Sequence, residues 1–282
     1  MEMKRPFHYS HHSACKVPSH SILDIDPKAE VDRSVNKQFS LKAMNQDIAV
    51  VIGASGAIGK AVVNEKLKHN MHVIAVSRSP VNIKHPYMTM YECDYSAQSI
   101  LTIAERIGRI YPKVRSITVC NGVLHTHENM PEKKIESFNN DYFATLLHVN
   151  TTIPFSWLQA FMPYLVSTET PCVFTALSAR IGSISDNKLG GWYSYRASKA
   201  ALNMLFKTAS IELARRKCNA KLMLFHPGTT DSELSKPFQS NVPSSKLFTP
   251  AFVAEQLNKF EQNREFNHEV DFIDWQGKPI SW

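Results

Sequence analysis

The stretch that most constrains this chain is Ile48-Ala-Val-Val-Ile52, followed at once by Gly53-Ala-Ser-Gly56-Ala-Ile-Gly59 and a helical period from Ala57 to His69. A short apolar run rich in β-branched residues reads as a strand buried on both faces, the kind found inside parallel sheets. Glycines after such a strand let the backbone approach a pyrophosphate that any Cβ would obstruct. The helix that follows offers free N–H groups and the positive end of its dipole. A plain tight turn is the competing reading of a glycine-rich loop. The buried strand before it and the helix after it favour a dinucleotide cradle built from Gly53, Ser55, Gly56, Ala57, Ile58 and Gly59.

The same alternation continues down the chain. Apolar runs at 72–76, 88–93, 116–120, 172–177, 221–225 and 270–273 read as further strands. Helical periods cover about 99–110, 132–148, 151–166, 192–216 and 249–262. Repeated β-α units predict an α/β fold: a single Rossmann-type, doubly wound domain with a mostly parallel seven-stranded sheet and helices on both faces. Residues 1–43 show no sustained period. They read as a poorly ordered N-terminal extension, with the folded NAD(P)-binding domain spanning 44–282. His8, His11 and His12 lie in that extension and read as part of a polar tail, with no metal site expected.

A net charge of +7 admits nucleic acid or anionic ligands as partners. The basic residues are scattered, so no nucleic-acid interface is expected. Five widely spaced cysteines without a CxxC pair read as free thiols in a reducing compartment, which points to a cytoplasmic location. Neither a membrane span nor a signal peptide is expected.

Two further signals carry chemistry. Ser77-Arg78 follows the second strand, where an acid would accept bonds from ribose hydroxyls. An arginine there pairs with a 2′-phosphate, so NADP(H) is expected over NAD(H). Tyr195-Arg-Ala-Ser-Lys199 sits at the start of the long helix, and its first and last residues share one helix face. A fixed ammonium near the phenol is expected to lower its pKa and fit it for proton exchange with a carbonyl or alcohol.

These motifs, with Gly190 to Leu202, His226-Pro-Gly228 and Asp274 to Pro279, resemble the short-chain dehydrogenase/reductase family across 47–282, and its C-factor-like members most. The resemblance implies that Tyr195 and Lys199 are catalytic and also contact cofactor, and that Asn150 joins a water relay to the lysine. It implies that Asp94 bonds the adenine and that Asn121 and Gly122, in Cys120-Asn-Gly122, line the cofactor. Pro227 and Gly228 would cover the nicotinamide, with Thr229, Thr230 and Ser232 near its carboxamide. Residues 231–250 would form a substrate lid. A homodimer or homotetramer on the long helices is the family habit.

One departure stands out. Where the family has two serines, this chain has Ser178-Ala179, so Ala179 falls on the position of the carbonyl-polarising hydroxyl. Ser178 is the preferred substitute and Ser183 the alternative. The expected function is hydride transfer between NADP(H) and a small carbonyl or alcohol substrate. The rival is a cofactor-binding protein with weak or no turnover, acting as a sensor or signal.

Overall fold

The computed structural model describes residues 46–282. The extension, its histidines and its boundary at Met44 lie outside them.

Seven strands form one sheet: β1 (Ile48–Ile52), β2 (His72–Ser77), β3 (Met88–Glu92), β4 (Val114–Val119), β5 (Cys172–Leu177), β6 (Ala220–His226) and, last in the chain, β9 (Asp271–Asp274). Their order is β3-β2-β1-β4-β5-β6-β9, and every pairing is parallel. All five β1 residues are fully buried, because side chains alternate between two covered faces. Ile48, Val50 and Ile52 join the core under α2 (Ala97–Ile110), α4 (Ile153–Val166) and α5 (Tyr193–Arg215). Ala49 and Val51 join the core under α1 (Ala57–Lys68) and α6 (Pro250–Gln262). The sheet runs outward in opposite directions from β1 and β4, which opens a crevice at their C-terminal ends.

The expected helix over 132–148 is corrected. The true α3 spans Asn140–Leu147, preceded by a 3-10 turn at Ile135–Ser137. Ile135 and Phe138 carry the apolar spacing but are exposed, so no core rewards a helix there. Asn139 caps α3 instead, its Oδ1 accepting from Tyr142 N at 2.8 Å. Nor do α3 and α4 separate as two helices: a π-helical segment, His148–Thr152, joins them. Two short strands pair in parallel, β7 (Thr229–Thr230) just before the expected lid and β8 (Leu247–Phe248) within it.

A buried polar cluster ties the α1–α6 layer to the sheet. Lys66 Nζ on α1 bonds the Glu261 carboxylate and donates to Asn258 Oδ1 at 2.9 Å, both on α6. Glu261 Oε1 also accepts from Thr118 on β4 at 3.1 Å and Thr175 on β5 at 2.8 Å. Lys66 and Glu261 side chains are each 3% exposed.

Among the described residues no helix is long and apolar enough to cross a membrane, and no group of His, Cys, Asp and Glu is placed to hold a metal ion. Cys93, Cys120, Cys172 and Cys218 are free thiols.

Candidate active site

A cavity of about 1050 Å³ opens at the C-terminal ends of β1, β4, β5 and β6. Ser55, Gly56, Ala57, Ile58 and Gly59 form one side of it; Asn121, Gly122, Ser178, Tyr195, Lys199, Pro227, Gly228, Thr230 and Ser232 line it further on. Gly53, Ser77, Arg78, Asp94 and Asn150 stand outside this lining. Gly53 and Ala54 both donate to Val76 O, at 2.8 and 3.1 Å, which holds the loop against the tip of β2 where Ser77 and Arg78 lie. Arg78 is exposed there. Asp94 Oδ1 accepts from Ser96 N at 2.9 Å and Ser96 Oγ at 2.8 Å.

The glycines have separable reasons. A Cβ on Gly59 would fall 2.2 Å from Gly53 O, so this residue serves loop–helix packing. Gly53 holds φ +78, and a Cβ there would press on Asn121 N at 3.0 Å. Gly56 is different: its Cβ would meet no protein atom closer than 3.5 Å, so no packing within the chain requires a glycine there. Gly56 also caps α1 without a side-chain bond, and the first turn of α1 holds no acid. Asn121 Oδ1 is buried without a partner at the mouth of β4. A bare helix start, an open glycine and an orphaned acceptor fit a pyrophosphate and its nucleoside.

Tyr195 and Lys199 lie on one face of α5, with Lys199 Nζ 5.9 Å from the Tyr195 ring centre. The ammonium donates to Leu177 O at 2.8 Å, which fixes the end of β5 to α5. Gly182 allows this: a Cβ there would sit 2.8 Å from Lys199 Cβ. Burial pushes Lys199 down to about 7. Burial, and then neighbouring Tyr142, pushes Tyr195 above its ordinary range. The expected lowering of Tyr195 by lysine is therefore corrected for the chain alone. The lysine is itself desolvated, and the phenol is held neutral.

Asn150 occupies the π segment. Its side chain closes a ring with Val123, accepting from the N–H and donating to the carbonyl, both at 2.8 Å, and it donates to Ser198 Oγ at 3.1 Å. Pro154 has no N–H to give the Asn150 carbonyl, its i−4 partner. A Cβ on Gly122 would lie 3.6 Å from Asn150 Oδ1 and 3.9 Å from Lys199 Nζ, so the three sit together.

Ser178 reaches the cavity, but its hydroxyl donates to Asn203 Oδ1 at 2.6 Å. Ser183 turns away into its own loop, its Oγ accepting from Asp186 N at 3.1 Å. Ala179 places a methyl group in the apolar cluster that holds Tyr195, Tyr142 and Leu124. Where the chain enters the expected lid, Thr230 Oγ1 lies 3.5 Å from Pro227 O and Ser232 Oγ donates to Thr230 O at 3.2 Å.

Several lining residues carried no role in the sequence reading: Trp192, Phe238 and His226. His226 Nδ1 is buried without a partner, and burial, then the nearby Arg180, pushes the imidazole down to about 4. The Gly190-Gly191 pair before Trp192 was the available signal for an unusual backbone there.

Fold and site together define an oxidoreductase of the nicotinamide-binding Rossmann class. The chain belongs to the short-chain dehydrogenase family, whose model matches residues 47–243. It is 30% identical over 187 residues to a 1-hydroxy-2-glutathionyl-2-methyl-3-butene dehydrogenase of Rhodococcus sp. strain AD45, covering 64% of this chain and 76% of that protein. It is 31% identical over 106 residues to the C-signal of Myxococcus xanthus, covering 38% of this chain and 58% of that one. The NADPH-bound carbonyl reductase from chicken fatty liver shares the fold with a TM-score of 0.71 at 22% identity, over 84% of this chain and 99% of that one.

Proposed function

We propose that the protein is an NADP(H)-dependent carbonyl reductase in which Tyr195 is the general acid and Lys199 its partner. The observation that carries this reading is the Tyr195–Lys199 pair opening into the cavity that the glycine loop borders. When bound, the cofactor supplies the hydride; the carbonyl π pair moves onto oxygen and takes the Tyr195 proton, giving an alcohol and the oxidised cofactor. Burial raises the Tyr195 pKa in the chain alone, and a charged Lys199 beside the phenol would oppose that rise and favour release of the proton. Lys199 would reach the nicotinamide ribose, and the Asn150 carbonyl would hold a water on the way to it. Arg78 would pair with the 2′-phosphate, Asp94 would bond the adenine, and Thr230 and Ser232 would sit at the carboxamide. Ser178 would polarise the carbonyl once its hydroxyl leaves Asn203.

A second reading, a cofactor-binding sensor or signal with little turnover, is favoured by Ala179 and by the engaged Ser178 hydroxyl. NADPH consumption against a panel of aldehydes, ketones and quinones separates the two. Turnover supports the reductase; tight NADPH binding with no turnover of any carbonyl supports the sensor.

A further inference from the structure

The cavity extends past Tyr195 to a wall of aromatic rings that proton transfer does not use. Trp192 and Phe238 both line it, with ring centres 5.0 Å apart and planes at 56°. The edge of one ring meets the face of the other between Trp192 and Tyr195, at 6.3 Å and 68°. Leu124, Met130 and Leu234 complete an apolar end to the site.

Trp192 holds this place at a cost. Its backbone is left-handed, φ 55 and ψ 43, a conformation bulky residues rarely adopt. Its surroundings over-determine it. Gly190 and Gly191 each take φ +65 to bring the chain in, and Arg196 grips their carbonyls at 3.1 and 2.9 Å. Trp192 N–H donates to the Glu132 carbonyl. The Glu132 carboxylate, 3% exposed, accepts from Ser194 N at 3.2 Å and from the Ser194 hydroxyl, pinning the first turn of α5. Strain that is held this firmly beside a reactive group marks a side chain placed for a ligand.

We propose that the slot in front of the Trp192–Phe238 wall takes an aromatic ring of the substrate, that the substrates are aryl ketones or aldehydes, and that Glu132 is the positioning residue that keeps Trp192 in that wall. This rests on the reading that Tyr195 protonates a carbonyl oxygen. A ring bonded to the carbonyl carbon reaches from Tyr195 to the neighbouring Trp192, and stacking rewards an aromatic ring over a saturated one of equal size.

The test compares acetophenone with cyclohexyl methyl ketone, using the full chain and NADPH. The wild type should favour acetophenone in kcat/KM by roughly three- to tenfold, the worth of one aromatic contact. Trp192→Leu should bring that ratio near one, mainly through KM, while NADPH affinity is retained. Glu132→Ala should do the same, and Glu132→Gln, which keeps an acceptor for Ser194, should restore the preference. If Trp192→Leu does not fold, Phe238→Leu reads the same ratio from the lid side. A wild-type ratio near one, or a ratio that survives Trp192→Leu, overturns the proposal and leaves the reductase reading standing. If no carbonyl is reduced at all, the reductase reading falls, and calorimetry decides the slot separately. Acetophenone binding to the NADP-loaded wild type that is lost in Trp192→Leu keeps the slot; absence of binding to the wild type overturns it.

Discussion

The Ser178 hydroxyl donates to Asn203 Oδ1 at 2.6 Å, across the joint between β5 and α5. A hydroxyl has one proton to give, so Ser178 cannot hold Asn203 and polarise a carbonyl at once. Ser178→Ala should therefore cost about tenfold in kcat, below the ~10²–10³ of a preorganised oxyanion donor. A silent Ser178→Ala, with Tyr195→Phe inactive, would leave Tyr195 as the sole donor to the carbonyl oxygen.

Lys199 is predicted to leave a pH signature on stability. Its pKa falls from 10.5 to about 7 on burial. Between those values the unfolded chain holds a proton that the folded chain has shed, so stability rises with pH there. The melting temperature of the cofactor-free wild type, measured relative to Lys199→Met, should climb from pH 7 to pH 10. A flat difference would mean that the buried lysine stays charged.

Lys66 and Glu261 form a buried pair whose separation should be costly. Lys66→Met leaves the Glu261 carboxylate buried with only Thr118 and Thr175 as donors. Urea unfolding should show a loss of about 3–5 kcal/mol, much of it recovered in the double variant Lys66→Met with Glu261→Leu. A single variant within ~1 kcal/mol of wild type would contradict this.

Arg78 is predicted to choose the cofactor. Its guanidinium is exposed at the tip of β2, beside the glycine loop. Arg78→Ala should weaken NADPH by about 1.5–3 kcal/mol, the worth of a charge-assisted contact, and NADH far less. Equal losses for both cofactors in a fluorescence titration would remove the assignment.

What the sequence made legible followed from burial. Ile48–Ile52 is covered on both faces, so its composition alone identified the strand, and the glycine loop after it located the crevice. The helical spacing of Ile135 and Phe138 misled because periodicity carries no information about whether a core exists to receive it. Nothing local in the sequence pairs Lys66 with Glu261, because the two lie 195 residues apart. The left-handed Trp192 is signalled only by the two glycines before it. Its conformation is imposed by Glu132, Gly190 and Gly191 together, and no local propensity favours it.

The reductase reading depends on Tyr195 giving its proton to a carbonyl oxygen. Steady-state reduction of acetophenone by wild type and Tyr195→Phe, with NADPH affinity measured alongside, tests it most directly. Removing one hydroxyl should lower kcat by ~10²–10⁴ while NADPH binding stays within about twofold. Full turnover by Tyr195→Phe would contradict the mechanism.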